Sequence, residues 1–243
     1  MELIVEETYE TMSAKAAEAV MQIVGSLEHP VLCTASGDSP AGLYKNLVKH
    51  VNDNATDISG WYFIGLDEWL NMNGGDEGSC RFHLNNQLFG PLRVQESNIA
   101  FFDGRAADTD KECNRIENFI KEKGGIDIAI VGLGMNGHVG MNEPGTSASL
   151  YSHVAELESI TQQVGQKYFK EKQSIAKGIT LGIADLMEAR RVLLIVSGAK
   201  KAAVVKQVLE GDISESVPAS LLRRHKSLIV YLDNDAASLL EKK

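Results

Sequence analysis

The chain has 243 residues, of which 44% are hydrophobic and 23% are charged, and its formal net charge is −9. This composition is too apolar for a disordered chain, and the negative charge argues against a nucleic-acid or anionic-membrane surface. The cysteines form neither a CxxC pair nor a zinc-type cluster with histidine, so we expect no disulfide and no metal site. The first residues do not form a basic and apolar leader, and no stretch reaches the ~20 apolar residues of a membrane span. We therefore expect a cytoplasmic protein.

Short apolar runs alternate with longer segments of helical period along the chain. Continuous apolar strands between amphipathic helices are typical of a parallel sheet that is covered on both faces. We predict an α/β fold, a doubly wound, mostly parallel, Rossmann-like sheet with helices on both faces, in a single domain over residues 1–243. The predicted strands are Leu3–Val5, Val31–Ala35, Trp61–Leu66, Ile99–Phe102, Ile126–Val131, Val192–Val196 and Leu228–Leu232. The predicted helices are Thr11–Val24, Pro40–Val51, Lys111–Lys123, Ala199–Leu209 and Ala236–Leu240.

Two polar stretches, residues 67–91 and 147–178, interrupt the alternation of strands and helices. In doubly wound sheets, ligands bind beyond the carboxyl ends of the strands. Both stretches follow predicted strand ends, so we expect them to wall or cover a site. The alternative is that they are long surface loops.

The first strand end that could bind a ligand is the turn that contains Ser36, Gly37, Asp38 and Ser39. Ser39 can cap a helix, Pro40 suits the first helical position, and Gly37 allows close approach of the backbone. A helix start after a turn of small residues presents N–H groups to one point, which favours a phosphate site. Asp38 opposes this interpretation unless its carboxylate turns away, and the alternative is an ordinary βα turn.

The second strand end carries the adjacent acids Asp67 and Glu68. Neighbouring residues of an extended chain point to opposite faces, so the two carboxylates cannot share one role. One of them can face a cleft as a base while the other caps or pairs elsewhere. A polar strand terminus without catalytic function is the alternative.

The third strand end is a glycine-rich loop over residues 132–145 that includes Gly134, His138 and Glu143. Its GxGxxG pattern resembles a dinucleotide fingerprint, but Gly140 and Pro144 break the helix that such a site requires. We therefore expect no dinucleotide cofactor. Histidine moves protons near neutral pH, and a nearby carboxylate can fix its tautomer.

The fourth strand end, Ser197–Lys201, combines small residues with lysines, so that one lysine could reach a phosphate as a point charge. Solvated surface lysines are the alternative. An anion site, an acid, a histidine loop and a cation at four strand ends indicate a small phosphorylated substrate and proton transfer without a metal.

Several motifs together resemble the glucosamine-6-phosphate deaminase (isomerase) family, which shares its fold with 6-phosphogluconolactonases. They are SGDSPAGLYKNL, GLDEWLNM followed by SCRFHLNNQLF, GLGMNGHVGMNEPGTS, and GITLGIADLMEARRVLLIVSGAKKAAVVKQVLEG, and they span the chain from about residue 3 to 240. The NEPG ending of the glycine loop resembles the amino-sugar branch rather than the lactonase branch.

This resemblance implies conversion of an amino-sugar 6-phosphate to the ketose 6-phosphate and ammonia, without a cofactor. It implies that Asp67 moves the proton between C2 and C1, that His138 opens the ring, and that Glu143 holds His138. Ser36, Gly37, Asp38, Ser39, Gly134, Lys167 and Lys201 would line the substrate and phosphate site, and residues 157–178 would form a mobile lid that excludes water.

The chain departs from the family pattern at Asn136, where the best-known deaminases have Asp. Asparagine can form hydrogen bonds but cannot accept a proton as a carboxylate does. The proton relay through His138 would therefore depend on Glu143 as its only carboxylate. We expect an altered rate, pH dependence or sugar epimer, with galactosamine 6-phosphate as an alternative to glucosamine 6-phosphate. Residues 150–155 contain no Arg or Lys, so we expect no allosteric amino-sugar site there.

Two other functions stay open at the level of the sequence. A sugar-phosphate lactonase would need the histidine base but no abstraction of the C2 proton. A non-catalytic sugar-phosphate sensor would bind without turnover, which Asn136 makes conceivable. We expect no nucleic-acid or membrane partner, and association into a homo-oligomer is left open.

Overall fold

The computed structural model describes residues 1–241. Its strands are β1 (Glu2–Glu6), β2 (Val31–Thr34), β3 (Tyr62–Gly65), β4 (Asp67–Trp69), β5 (Ile99–Ala100), β6 (Ile128–Gly132), β7 (His153–Glu156), β8 (Lys177–Thr180), β9 (Val192–Val196) and β10 (Leu228–Asp233). Its α-helices are α1 (Tyr9–Val24), α2 (Asp38–Asp53), α3 (Cys80–Leu84), α4 (Gly90–Leu92), α5 (Thr109–Glu122), α6 (Ser159–Gly165), α7 (Ile183–Glu188) and α8 (Ala202–Glu210). A π-helical segment, Asn85–Phe89, joins α3 to α4, and a 3₁₀ turn, Gln166–Tyr168, follows α6. Within these residues, no helix is both long and apolar enough to cross a bilayer.

The central sheet of the described chain has seven parallel strands in the order β1-β10-β9-β6-β2-β3-β5. Its strands are the seven apolar runs predicted from the sequence, and the α/β fold prediction is confirmed. Alternate residues of each strand enter different cores: Leu32 packs with α1 and α2, while Cys33 packs with α5 and α8 on the opposite face. Both faces of the sheet are therefore buried, which explains the unbroken apolar runs.

The direction of winding reverses between β2 and β6. From β2 the chain passes through α2 to β3 on one side, whereas β6 is paired with β9 on the other side. A crevice therefore forms beyond the carboxyl ends of these strands, at the position where ligands bind in doubly wound sheets. The strand ends selected from the sequence are the carboxyl ends of β2, β3, β6 and β9, which are neighbours.

A second, antiparallel sheet in the order β4-β8-β7 lies beyond the end of β3 and was not predicted. It positions the acidic strand end directly, because Asp67 in β4 pairs with Thr180 in β8. The polar stretch 147–178 therefore contains β7, α6 and the beginning of β8 rather than one loop.

Two local predictions were wrong. Residues 236–240 form turns instead of a helix, because the Asp233 carboxylate accepts hydrogen bonds from the Ala236 and Gly198 N–H groups and bends the chain at the end of β10. The helix after β2 begins at Asp38, so Gly37 rather than Ser39 is its N-cap residue.

Candidate functional site

A cleft of about 330 Å³ opens at the carboxyl ends of the central strands. Most of the residues selected from the sequence line this cleft. The predicted residues that line it are Ser36, Gly37, Asp38, Ser39, Asp67, Gly134, His138, Lys167 and Lys201. Both polar stretches contribute walls, through Trp69 and Cys80 from the first and Thr161 and Tyr168 from the second. Asp67 and His138 therefore share one cavity.

One end of the cleft is formed by the turn between β2 and α2. Gly37 has a φ of +113°, a backbone conformation that side chains with a Cβ rarely adopt. Among residues 1–241, no side chain caps the N-terminus of α2. The first N–H groups of a helix lack partners within the helix, so this end of α2 favours an anion.

Two lysines approach the same end of the cleft from different elements. Lys201, in the 3₁₀ turn before α8, donates a hydrogen bond to the Leu133 carbonyl. Burial, and secondarily the charge of Lys167, lowers the pKa of Lys201 to about 8. Lys167, in the turn after α6, pairs with the Asp38 carboxylate at 2.6 Å, and its Nζ lies 4.9 Å from the centre of the Tyr168 ring. This end of the cleft therefore combines cations with a helix N-terminus.

Asp67 lines the cleft and is 9% exposed. Burial raises its pKa to about 6, although a hydrogen bond from the Cys80 thiol and the charge of His138 act in the opposite direction. A carboxylate with such a pKa is ionised at neutral pH yet basic enough to take a proton from carbon. Cys80 was not selected from the sequence, since nothing in a lone cysteine indicated that it would face an acid thirteen residues away.

Glu68 points away from the cleft, as the alternation along a strand requires. Its fully buried carboxylate accepts hydrogen bonds from the backbone N–H groups of Trp69, Cys80 and Arg81 at 2.8 to 3.0 Å. Burial nevertheless raises the pKa of Glu68 to about 7. Glu68 therefore ties β4 to the start of α3 and places Cys80 beside Asp67.

The His138 ring is held from behind through its Nδ1 atom. Nδ1 lies 2.7 Å from Oδ1 of Asn136, 3.2 Å from the Thr161 hydroxyl and 3.6 Å from Oε2 of Glu143. Because Asn136 Oδ1 can only accept, this arrangement favours a proton on Nδ1 and a lone pair on Nε2. His138 can therefore act as a base through Nε2.

Gly134 allows the imidazole to lie close to the glycine loop. A Cβ atom on Gly134 would lie 2.3 Å from Nε2 and Cε1 of His138, which no side chain could tolerate without moving the ring. The Gly134 N–H also donates to the His138 carbonyl at 2.8 Å. Gly134 therefore makes room for the histidine ring.

Asn136 is the centre of the support behind His138. Its Nδ2 donates to Oε2 of Glu143 at 2.7 Å and to Oε2 of Glu158 at 2.9 Å. Asn136 therefore adds a hydrogen bond to the contact with Glu143 that the sequence predicts, since its amide oxygen lies nearer to Nδ1 of His138 than the Glu143 carboxylate does and its NH₂ group bridges two carboxylates. Burial raises the pKa of Glu143, but hydrogen bonds from His138, Thr161 and Asn136 outweigh this effect and the net shift is downward.

Asn136→Asp is expected to destabilise the protein, because it replaces an NH₂ donor by an oxygen that faces Glu143 and Glu158. Unpairing the buried Glu143 carboxylate costs about 1–3 kcal/mol, so we expect a lower Tm at pH 8 that is partly restored at pH 5, where carboxylic acids begin to protonate. The measurement is thermal unfolding at both pH values. Gln163→Glu, which makes the same chemical change at an exposed position of α6, is the control. An Asn136→Asp variant as stable as the parent at pH 8 would contradict this role of the amide.

Thr161, Glu158 and Tyr168 belong to the site but were not selected from the sequence. All lie in or next to α6, and they reach the cleft or His138 only because this helix folds back over the sheet ends. No local motif marks them, since each stands alone between residues of mixed polarity. Only the three-dimensional structure identifies them.

The arrangement combines a basic carboxylate, an oriented imidazole and an anion-binding end in one cleft. It can hold a small phosphorylated molecule and move protons on its carbon and oxygen atoms. Within residues 1–241, no group of three or more His, Cys, Asp or Glu side chains is placed to hold a metal ion. The three cysteines are buried free thiols.

Comparisons with known proteins agree with this geometry. The family model described as glucosamine-6-phosphate isomerases/6-phosphogluconolactonase matches residues 5–230. Glucosamine-6-phosphate deaminase of Clostridium perfringens strain 13 is 35% identical over 242 residues, covering 99% of this chain and 100% of that protein. The enzyme of the same name from Geobacillus sp. strain WCH70 is 36% identical over 241 residues, covering 99% and 96%.

Solved structures give the same result. A structure described as a monomeric glucosamine-6-phosphate deaminase superposes with a TM-score of 0.95 at 34% identity, covering 99% of this chain and 100% of that one. A 6-phosphogluconolactonase from Trypanosoma brucei shares the fold, with a TM-score of 0.75 at 20% identity and 98% coverage of both chains.

Proposed function

Because the chain belongs to the glucosamine-6-phosphate isomerase/6-phosphogluconolactonase family, we propose that it is an amino-sugar 6-phosphate deaminase. It converts glucosamine 6-phosphate, or its C4 epimer galactosamine 6-phosphate, and water to the ketose 6-phosphate and ammonia. The observation that carries this proposal is that Asp67 and His138 face one cleft whose end also presents Lys201 and the N-terminus of α2. A lactonase needs no buried carboxylate base, so this pairing favours the deaminase.

The phosphate binds at the end of the cleft formed by Ser36, Gly37 and Ser39, with Lys201 and Lys167 as its cations. Helix N-terminal N–H groups and lysines both suit a dianion. This anchor places the sugar ring toward the glycine loop. His138, with its lone pair on Nε2, takes the proton from O1 and returns a proton to O5, so that the ring C1–O5 bond breaks and the aldehyde forms.

Asp67 then removes the proton from C2 of the open-chain amino sugar. The electrons move into a C1–C2 double bond, and the C1 oxygen takes up a proton. Asp67 returns its proton to C1, which moves the double bond to C2 and nitrogen and gives a protonated imine at C2, and this species loses one N–H proton to become the imine. Water adds to this imine and ammonia leaves, so that a ketone remains at C2 and every atom is accounted for.

Residues 157–178 act as the lid of this cleft in our proposal. Ile160, Thr161 and Val164 of α6 and Tyr168 of the following turn line the cavity from one side. A lid that closes over the intermediate with the C1–C2 double bond would exclude bulk water from this carbanion-like species.

A coupled ammonia assay with both amino-sugar phosphates tests the proposed function. We expect ammonia release with at least one epimer and no requirement for an added cofactor or metal. Hydrolysis of 6-phosphogluconolactone without ammonia release would instead indicate the lactonase. Tight binding of both amino-sugar phosphates without turnover would indicate a sensor. Either of these outcomes would overturn the assignment.

The proposal extends to location and assembly. A sugar phosphate is a dianion that does not cross a bilayer unaided, so we place the protein in the cytoplasm, where such substrates are made. A similar deaminase of solved structure is described as monomeric, and we propose that this chain likewise needs no homo-oligomer for the chemistry. Light scattering of the purified protein measures its assembly.

A further inference from the structure

An acid lies within the site that binds the phosphate. Asp38 is the first residue of α2, directly after Gly37, and it lines the cleft together with Lys167 and Lys201. A carboxylate at this position repels the dianion for which the rest of the site is suited. Its presence therefore needs an explanation other than phosphate binding.

The contacts of Asp38 show what its carboxylate does. Its Oδ2 accepts a hydrogen bond from Lys167 at 2.6 Å, and its side chain is 77% exposed while that of Lys167 is 46% exposed. Its backbone is fixed separately, because the Tyr9 hydroxyl donates to the Asp38 carbonyl at 2.7 Å. The carboxylate can therefore leave Lys167 without moving the start of the helix.

The ion pair connects two parts of the site that come from distant segments of the chain. Asp38 belongs to α2 at the end of β2, whereas Lys167 lies on the segment that covers the cleft. Tyr168, next to Lys167, approaches the turn on the same side, since a Cβ atom on Gly37 would lie 3.1 Å from its hydroxyl. The lid, residues 157–178, is thus held at the phosphate end of the cleft by the Asp38 carboxylate.

We propose that Asp38 is a resident counter-ion, which occupies Lys167 until the phosphate of the substrate takes its place. This inference rests on the proposed function, since it assigns a role within the same phosphate site. An exposed ion pair is weak, so a dianion can displace the carboxylate into solvent. A tethered carboxylate nevertheless outcompetes dilute monovalent anions, because it is always present beside the lysine.

The charges around Lys201 support this role. Burial and then the charge of Lys167 lower the pKa of Lys201, while Asp38 acts in the opposite direction. Before substrate binds, Asp38 therefore helps to keep both lysines protonated in a confined space. When the phosphate dianion replaces Asp38, its charge balances the two lysines in place of the carboxylate.

The test is inhibition of ammonia release by inorganic phosphate in Asp38→Asn. Removing the carboxylate removes both the competing ion pair and its repulsion of the dianion, so we expect the inhibition constant to fall about threefold to tenfold. Asp53→Asn is the matched control, because Asp53 lies at the other end of the same helix and forms an exposed pair with Lys49. This control removes the same charge and is expected to leave the inhibition constant unchanged.

A double-mutant cycle with Lys167→Met separates the ion pair from general repulsion. The effect of Asp38→Asn is expected to shrink at least by half in the Lys167→Met background. An unchanged or weaker affinity for phosphate in Asp38→Asn would overturn the inference, since it would mean that Asp38 orients Lys167 for the phosphate instead of competing with it. Absence of ammonia release in the parent protein would be a failure of the proposed function, whereas an active parent with an unresponsive Asp38→Asn variant would be a failure of this inference alone.

Discussion

Asp67→Asn is expected to lower kcat for ammonia release about 10²-fold to 10⁴-fold, which is the contribution of a positioned general base. Asparagine has nearly the same shape as aspartate and can still contact the Cys80 thiol, but it cannot take the proton from C2. Because the Asp67 carboxylate contributes no attraction for the phosphate, inhibition by inorganic phosphate should persist in any residual activity, and direct phosphate binding should be retained. The measurements are steady-state ammonia release and phosphate binding by calorimetry.

The pH dependence gives this prediction a second, independent readout. Burial raises the pKa of Asp67 to about 6, and the base must be ionised, so kcat/KM of the parent should fall as the pH decreases through about 6. Glu143, whose pKa is lowered, stays ionised over this range. In Asp67→Asn the same decline should be absent from the residual rate.

Asp212→Asn, which removes an exposed aspartate beyond α8, is the control for both readouts and should behave like the parent. Ammonia release at the parental rate in Asp67→Asn would rule out the proposed base. A large loss of rate together with a loss of phosphate binding would show that the variant had lost its fold, and Asp67→Glu would then replace it, with a reduced rate and a retained acidic limb as the expected result.

The fold and one half of the site could be predicted from the sequence because both depend on local patterns. Buried parallel strands require unbroken apolar runs, so β2, β6 and β9 were visible from their residues alone. The turns that follow them contain Gly37, Gly134 and Lys201, whose residue types report directly on backbone conformation and charge. The common location of these turns follows from the topology of a parallel sheet.

The other half of the site depends on contacts between residues that are distant in sequence. Thr161 reaches His138 only because α6 folds back over the cleft, and Cys80 reaches Asp67 only because Glu68 fixes the start of α3. The antiparallel sheet of β4, β8 and β7 has strands of three or four residues, which are too short to show a period. At residue 136 the sequence showed an amide in place of an acid, but only the structure showed that this amide bridges Glu143 and Glu158.

Lys201→Met is expected to raise KM for the amino-sugar phosphate by about 10-fold to 100-fold, with a smaller change in kcat. Losing a part-buried charge that pairs with an anion costs about 1.5–3 kcal/mol, and most of this cost falls on binding, since the phosphate takes no part in the chemical steps. Lys200→Met is the matched control. Lys200 is the neighbouring residue, but it is exposed and does not line the cleft, so its variant should keep the parental KM.

The pH profile distinguishes a phosphate-binding lysine from a structural one. Burial lowers the pKa of Lys201 to about 8, so in the free enzyme this residue loses its proton as the pH rises through about 8 and the affinity for the dianion falls. We therefore expect an alkaline decline in kcat/KM near this pH. Bound phosphate stabilises the protonated lysine, so the decline should move to higher pH in the profile of kcat, which reports on the complex.

In Lys201→Met the alkaline decline of kcat/KM should disappear, because the group that titrates has been removed. A variant with a raised KM that keeps the parental decline near pH 8 would mean that another group titrates there, and Lys201 would then serve only to hold the Leu133 carbonyl of the glycine loop. In that case kcat would also fall, since the same loop carries His138. The combination of KM, kcat and the two pH profiles thus separates a lysine that binds the phosphate from one that only supports the imidazole.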